Sequence, residues 1–148
     1  MKYYQKVILK NISFKLVVSA FQDIALVEYL IKMQPVKLLK WDGIRTNDMA
    51  YFKLWFLGWK DFKVKHKLIE MDSTTLYFID SGIVLPLGIK FWEHKHIIKK
   101  VENSVEIVDS LIIKHQFVFL GYILYPILIV PIFLRKLLYQ SYFSSLLK

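Results

Sequence analysis

The stretch Phe62-Lys63-Val64-Lys65-His66-Lys67-Leu68 alternates without a break: lysine at every odd position, an apolar or aromatic-like side chain at every even one. Successive residues of a strand point to opposite faces, so this pattern makes one wet face and one buried face. A sheet half in water is the mark of antiparallel pairing, since all-parallel sheets are covered on both sides. The same period of two extends outward from this strand. It predicts neighbours near 36–41, 50–57, 75–80, 89–101 and 105–114, with a first strand over 2–11 that sets Lys2, Lys6 and Lys10 against Tyr3, Val7 and Leu9. Turn residues separate these runs at Trp41-Asp42-Gly43, Leu57-Gly58-Trp59, Met71-Asp72-Ser73 and Glu102-Asn103-Ser104.

Helical periodicity appears in three places. Ser13 is placed to cap a short helix with the apolar stripe Phe14, Val17, Val18 and Phe21, and Asp23 to cap a second over 23–32 that Pro35 closes. A terminal helix is expected from Pro126 or Pro131 to Leu147, with Leu134, Leu137, Leu138, Ser141, Tyr142 and Ser145 on one stripe. The order is strand, two helices, six strands, helix: an α+β chain with a curved seven-stranded antiparallel sheet whose apolar face the terminal helix covers. No repeat or linker interrupts the sequence, so 1–148 reads as a single domain, a length sufficient for one core and short for two.

Composition excludes several classes of function. With no cysteine there is no disulfide framework, thiolate metal site or cysteine nucleophile. The net charge is +9, yet of 21 basic residues only Arg45 and Arg135 are arginine, the residue that reads phosphates and bases by paired hydrogen bonds. Nucleic acid is therefore not the expected partner. Tyr51, Phe52, Trp55, Phe56 and Trp59 resemble a base-stacking platform, but aromatics also favour strands and fill cores. No glycine-rich phosphate loop or nucleophile elbow is present. The first 15 residues carry a lysine in every apolar run and no cleavage site, so the expected location is the cytoplasm. One segment pulls the other way. Residues 117–134 are 18 in a row without a charge, followed by Arg135 and Lys136, as in a short membrane span; Gly121, Pro126 and Pro131 oppose a straight one. The sheet's need for a cover makes this run the crossing into the closing helix, with membrane association as the alternative.

Four stretches carry a resemblance. Phe78-Ile79-Asp80-Ser81-Gly82, the turn Leu85-Pro86-Leu87-Gly88, the strand Trp92-Glu93-His94-Lys95-His96 and Val105-Glu106-Ile107-Val108-Asp109 resemble the bacterial SRPBCC ligand-binding proteins of the START/Bet v 1-like superfamily. Those proteins show a Phe-x-Asp, a Gly-Pro-Phe-like turn, a Trp-x-His-x-His strand and an Asp in the next strand. The turn here departs from the pattern, and the element order matches over nearly the whole chain. The resemblance implies a helix-grip fold with a cavity between sheet and terminal helix, and relatives that are lipid or hormone carriers or polyketide cyclases.

Alternation places Trp92, His94 and His96 on the inner face, with Asp109 inward on the following strand beside His96 or Ile98. A carboxylate there fixes an imidazole's tautomer and raises its basicity. The set reads as a self-satisfied buried pair, a polar anchor for a ligand, or a general base for cyclase- or hydratase-like chemistry. A zinc site, with Asp109 as third ligand, is the weakest reading, so no metal and no cofactor is expected. The expected function is binding or transport of a hydrophobic small molecule or lipid, through Trp92, His94, His96, Asp109, His66, Phe78, Leu138 and Tyr142. Phe56 and Phe62 are further lining candidates.

Overall fold

Residues 1–147 are described in the computed structural model. Their elements are β1 (Lys2–Lys10), α1 (Phe14–Phe21), α2 (Ile24–Ile31), β2 (Val36–Trp41), β3 (Met49–Trp55), β4 (Trp59–Met71), β5 (Thr75–Val84), β6 (Ile89–Val101), β7 (Ser104–His115) and α3 (Val118–Ser145). The seven strands form one antiparallel sheet in the order β1-β7-β6-β5-β4-β3-β2. Its two edges are β1 and β2, and the α1–α2 pair joins them. Bulges between Lys63 and Val64, Leu68 and Glu70, and Ile89 and Phe91 each add a local bend, which curves the sheet. This is the α+β helix-grip architecture expected from the alternation, with β4 and β5 longer than their runs foretold.

Local chemistry accounts for the short helices. The Ser13 side chain accepts a hydrogen bond from Leu16 N at 3.2 Å, and Asp23 Oδ1 accepts one from Ala25 N at 2.9 Å. Each thereby satisfies a donor that a helix start leaves unpaired. Phe14, Val17, Ala20 and Phe21 of α1 and Leu26 and Leu30 of α2 are buried. They join Val7, Leu9, Leu76, Phe78, Ile98 and Ile107 from the sheet, with Tyr139 and Phe143 from α3, in the main core cluster.

The terminal helix departs from expectation in two ways. It begins at Val118, so the apolar run is not a crossing but the first half of one helix, and Pro126 and Pro131 lie inside it. Each proline removes the N–H that would bond four residues back, at Tyr122 and Ile127. Both are exposed residues, where solvent can take that role. Its inner stripe is Gly121, Leu124, Leu128, Ile129, Ile132, Tyr139 and Phe143, whereas Leu137, Ser141 and Ser145 of the expected stripe face outward. The start of the helix is set by contact. A Cβ on Gly121 would lie 2.7 Å from His115 Cβ, so only glycine lets the helix approach the end of β7 this closely. His115 ties the junction together: Nδ1 accepts from Phe117 N at 3.0 Å, and Nε2 donates to the Leu87 carbonyl at 2.6 Å.

Candidate functional site: a cavity with a charged floor

Strand register builds the site. In β6 the side chains of Trp92, His94, His96 and Ile98 point inward, as alternation requires. His66 pairs with Asp80 across β4–β5, Asp80 with His94 across β5–β6, and His96 with Asp109 across β6–β7. Asp109 in turn pairs with Gln5 of β1. Five adjacent strands thus bring polar side chains to one patch of the concave face, and the hydrogen bonds run along the diagonals between direct partners. His96 Nε2 bonds Asp80 Oδ2 at 3.0 Å and His94 Nε2 bonds Asp109 Oδ1 at 3.1 Å. Two further ring nitrogens lie near a carboxylate without hydrogen-bonding geometry, His96 Nδ1 at 3.0 Å from Asp109 Oδ1 and His66 Nε2 at 3.1 Å from Asp80 Oδ1. The Phe78 ring stacks on the His96 imidazole at 4.5 Å.

Asp109 is the hub, and it is fully buried. Its second oxygen accepts from Gln5 Nε2 at 3.0 Å, and the same amide nitrogen donates to the Ile132 carbonyl at 2.7 Å, which links the floor to α3. Arg135 Nη1 stands 3.9 Å from Asp109. A buried carboxylate tolerates ionisation only when paired. Burial alone would raise both aspartates, but the surrounding imidazoles and their hydrogen bonds more than offset it and hold Asp80 and Asp109 well below the usual carboxylate range. For His96, burial pulls down and the two carboxylates pull up harder, so its value is raised. His94 goes the other way, to about 4, because burial and the neighbouring His96 charge outweigh its bond to Asp109. The floor therefore sets two carboxylates against the Arg135 guanidinium and favours a proton on His96, which lies between them, while His94 is held neutral and donates its Nε2 proton to Asp109.

Above this floor lies a cavity of about 410 Å³, within the range of small-molecule sites. Its walls come from α2 (Leu26, Leu30), β3 and β4 (Ala50, Phe52, Phe62, Val64) and α3 (Leu128, Ile132), and its floor is His66, Asp80, His94, His96 and Arg135. Met33, Trp55, Ile127 and Val130 line it too and are exposed, which marks the mouth. Among the described residues, six buried side-chain atoms have no hydrogen-bond partner in the protein: Gln34 Oε1, Trp41 Nε1, His66 Nδ1, Asp80 Oδ1, His96 Nδ1 and the Tyr139 hydroxyl. All six belong to residues that line this cavity. Burial pushes the Tyr139 hydroxyl up, so it stays protonated and can donate.

Of the residues singled out in the sequence, Trp92, His94, His96, His66, Phe78, Phe56 and Phe62 line the cavity. Asp109 lies directly behind the histidines. Leu138 and Tyr142 do not reach it: both pack against the α1–α2 core cluster, where Tyr142 meets Tyr29 edge-on at 5.0 Å. Sequence reasoning missed Asp80, Gln5, Arg135 and Tyr139 as parts of the floor. Asp80 was findable, since alternation puts it on the same face as Phe78. So was Arg135, read as the flank of a span but in fact turned inward to a buried carboxylate. As a metal centre, the set that converges is Asp80, His94 and His96, with ligand atoms within 4.8 Å of one another, rather than the histidines with Asp109. Two imidazoles and a carboxylate suit zinc in principle. Here, however, both ring nitrogens of His96 are already turned to carboxylates, Nε2 to Asp80 and Nδ1 to Asp109, each at 3.0 Å.

Neither a protein-family profile nor a curated protein sequence matches the chain. Solved structures do. Norcoclaurine synthase from Thalictrum flavum superposes with a TM-score of 0.64 over 97% of this chain and 86% of that one, at 12% identity. Ara h 8.0201 does so with a TM-score of 0.53 over 98% of each chain, also at 12%. This is the Bet v 1-like helix-grip fold. Protein Ms6760 from Mycobacterium smegmatis shares it at 7% identity, with a TM-score of 0.63 over 97% of this chain and 91% of that one. Likeness at such identities speaks for the fold alone. Norcoclaurine synthase has also been solved in complex with dopamine and hydroxybenzaldehyde.

Proposed function

We propose that this chain is an SRPBCC-type binding protein that holds an amphiphilic small molecule or lipid, apolar body against the cavity walls and polar end on the His–Asp floor. One observation carries the reading: among the described residues, every buried polar side-chain atom left without a hydrogen bond belongs to a residue that lines the same apolar cavity, and Gln34 Oε1, Trp41 Nε1, His66 Nδ1 and the Tyr139 hydroxyl lack an ion contact as well. Orphaned polar atoms cost free energy and are rare in folded proteins. Set around the wall and floor of one apolar chamber, they match a ligand that is greasy over most of its surface and also carries donors and acceptors. That a Bet v 1-like neighbour has been solved with two small aromatic molecules is in keeping with this.

The same geometry argues for holding over base catalysis. A general base works best when its conjugate acid titrates near the working pH. His94 binds a proton too weakly for that, at about 4, and both ring nitrogens of His96 already face carboxylates at 3.0 Å.

Native mass spectrometry of the purified protein is expected to show a retained apolar molecule, and the fluorescent fatty acid cis-parinaric acid to bind at one site per chain. Ala50→Leu, which fills the chamber from a fully buried wall position, is expected to weaken that binding at least roughly tenfold while the fold is kept. A protein that arrives empty and leaves the probe free in solution overturns the proposal.

A further inference from the structure

The outer face of α3 runs against the ordinary rule for a surface helix. Phe119, Tyr122, Ile123, Val130, Phe133 and Leu137, with exposed Pro126 between Ile123 and Val130, lie along one side of the helix and so form one stripe. Apart from the proline, each is between 48% and 79% exposed. The stripe is about 27 Å long at 1.5 Å per residue. It ends abruptly, because the next positions on the same face are Gln140, Ser141 and Ser144, all exposed. Large side chains gathered in this way mark a docking surface.

Position and charge say for what. Ile127 and Val130 belong both to this outer surface and to the cavity wall, and the opposite lip carries exposed Met33 and Trp55. Anything that covers the stripe therefore sits over the mouth. α3 contains no carboxylate; its charges are Arg135, turned inward, and Lys136. Next to Met33 at the mouth, Lys32 lies over the Tyr29 ring at 3.6 Å, and on the outer face of β2 Lys37 lies over the exposed Trp59 ring at 4.2 Å. Neither has a carboxylate partner among the described residues, while Asp61, on the β3–β4 hairpin, is neutralised by Lys53 at 3.0 Å. A second copy of this chain would set an acid-free, lysine-bordered face against itself. An anionic headgroup layer supplies the missing charge and, beneath it, the apolar medium that the stripe needs.

From these observations we infer that the outer face of α3 and the lips of the cavity form a peripheral docking surface for an anionic lipid bilayer, with the mouth facing the lipid. The helix lies on the bilayer and does not cross it. Its opposite face is committed to the sheet through Gly121, Leu124, Leu128, Ile132, Tyr139 and Phe143, and leaving would open the charged floor. The passage of a ligand between bilayer and chamber rests on the function proposed above; the docking does not.

The test is flotation of the full chain with vesicles of phosphatidylcholine containing phosphatidylglycerol, and of phosphatidylcholine alone. Binding is expected to the first, roughly tenfold tighter than to the second. The triple substitution Phe119→Ser, Ile123→Ser, Phe133→Ser, which spares every cavity-lining residue, is expected to lose at least roughly tenfold in vesicle affinity. Its circular dichroism and its binding of cis-parinaric acid should stay as in the parent. Lys32→Glu with Lys136→Glu leaves the stripe intact and is expected to weaken binding to the anionic vesicles alone. The inference is overturned if the parent stays in the soluble fraction with both vesicles, or if the triple variant binds like the parent. It is equally overturned if the protein resists carbonate extraction, which means a span. A parent dimer that the triple variant dissociates, with no vesicle binding, assigns the stripe to a second copy and overturns it too. Loss of probe binding with vesicle docking intact supports this surface and counts only against the chamber.

Discussion

The floor of the cavity and the outer face of α3 are inversions of each other. One puts two carboxylates, their imidazole partners and a guanidinium where apolar side chains belong, and the other puts aromatic and aliphatic side chains where water is expected. Scattered exposed leucines need no explanation, but a buried charge or a continuous exposed apolar stripe does. What differs is the cost. The floor is held at its polarity by mutual pairing, so each member depends on the others. The stripe's side chains touch little of their own molecule, so their loss should leave the fold unmoved.

Removing the hub should have the largest effect. Asp109→Ala leaves the His96 imidazole and Arg135 facing a buried void, and is expected to cost about 3–5 kcal/mol by urea denaturation. A change below about 1 kcal/mol would mean that the floor is wet and its charges independently solvated.

Acidity should probe the same pairing from both sides. His94 titrates lower when folded, at about 4 against 6.5, so between those values the unfolded chain binds a proton that the folded chain refuses, and stability falls with falling pH. The depressed values of Asp80 and Asp109 work in the same direction further down: their contribution is present above about 3.9 and is lost as pH drops through the folded values. His96 is raised, so its contribution is full below 6.5 and is lost as pH rises through its folded value. Urea midpoints are expected to peak near neutrality, with an acid limb on the order of 2–3 kcal/mol deep. His96→Gln should flatten the alkaline limb and leave the acid one sloping.

A smaller effect is expected at the link between floor and helix. Gln5→Leu strips a donor from Asp109 and from the Ile132 carbonyl at once, and should cost about 1–3 kcal/mol in the same measurement. Smallest of all, Ile123→Ser on the outer stripe should move the thermal midpoint hardly at all, within about 0.5 kcal/mol. If Ile123→Ser instead costs as much as Gln5→Leu, the stripe is buried in solution and the contrast fails.

Much of the floor could be read before the fold was known. Alternation alone put His66, His94 and His96 on inner faces and Asp109 inward beside His96 or Ile98, because side-chain direction in a strand is a local property; the register decided for His96. Asp80 obeys the same rule but stands two strands from Asp109, and nothing local says that both reach the same histidine. Gln5 is further still, 104 residues from Asp109 along the chain. Leu138 and Tyr142 lie one residue off the inner stripe of Tyr139 and Phe143 and pack beside the α1–α2 cluster, because a helix apolar on all sides does not announce which face the sheet will take.

From its residues alone, then, the chain determined seven strands, their wet and buried faces, two capped helices and the histidine face, since each follows from a spacing of two to four residues. Only the tertiary structure decided which side of α3 faces the sheet. A run that is apolar all round has no preferred side until Gly121 meets His115 and the inner stripe docks, and that choice leaves the other side bare. It also decided that Arg135 turns inward, because a charge at the end of such a run goes where a buried carboxylate, placed by strand register, can compensate it.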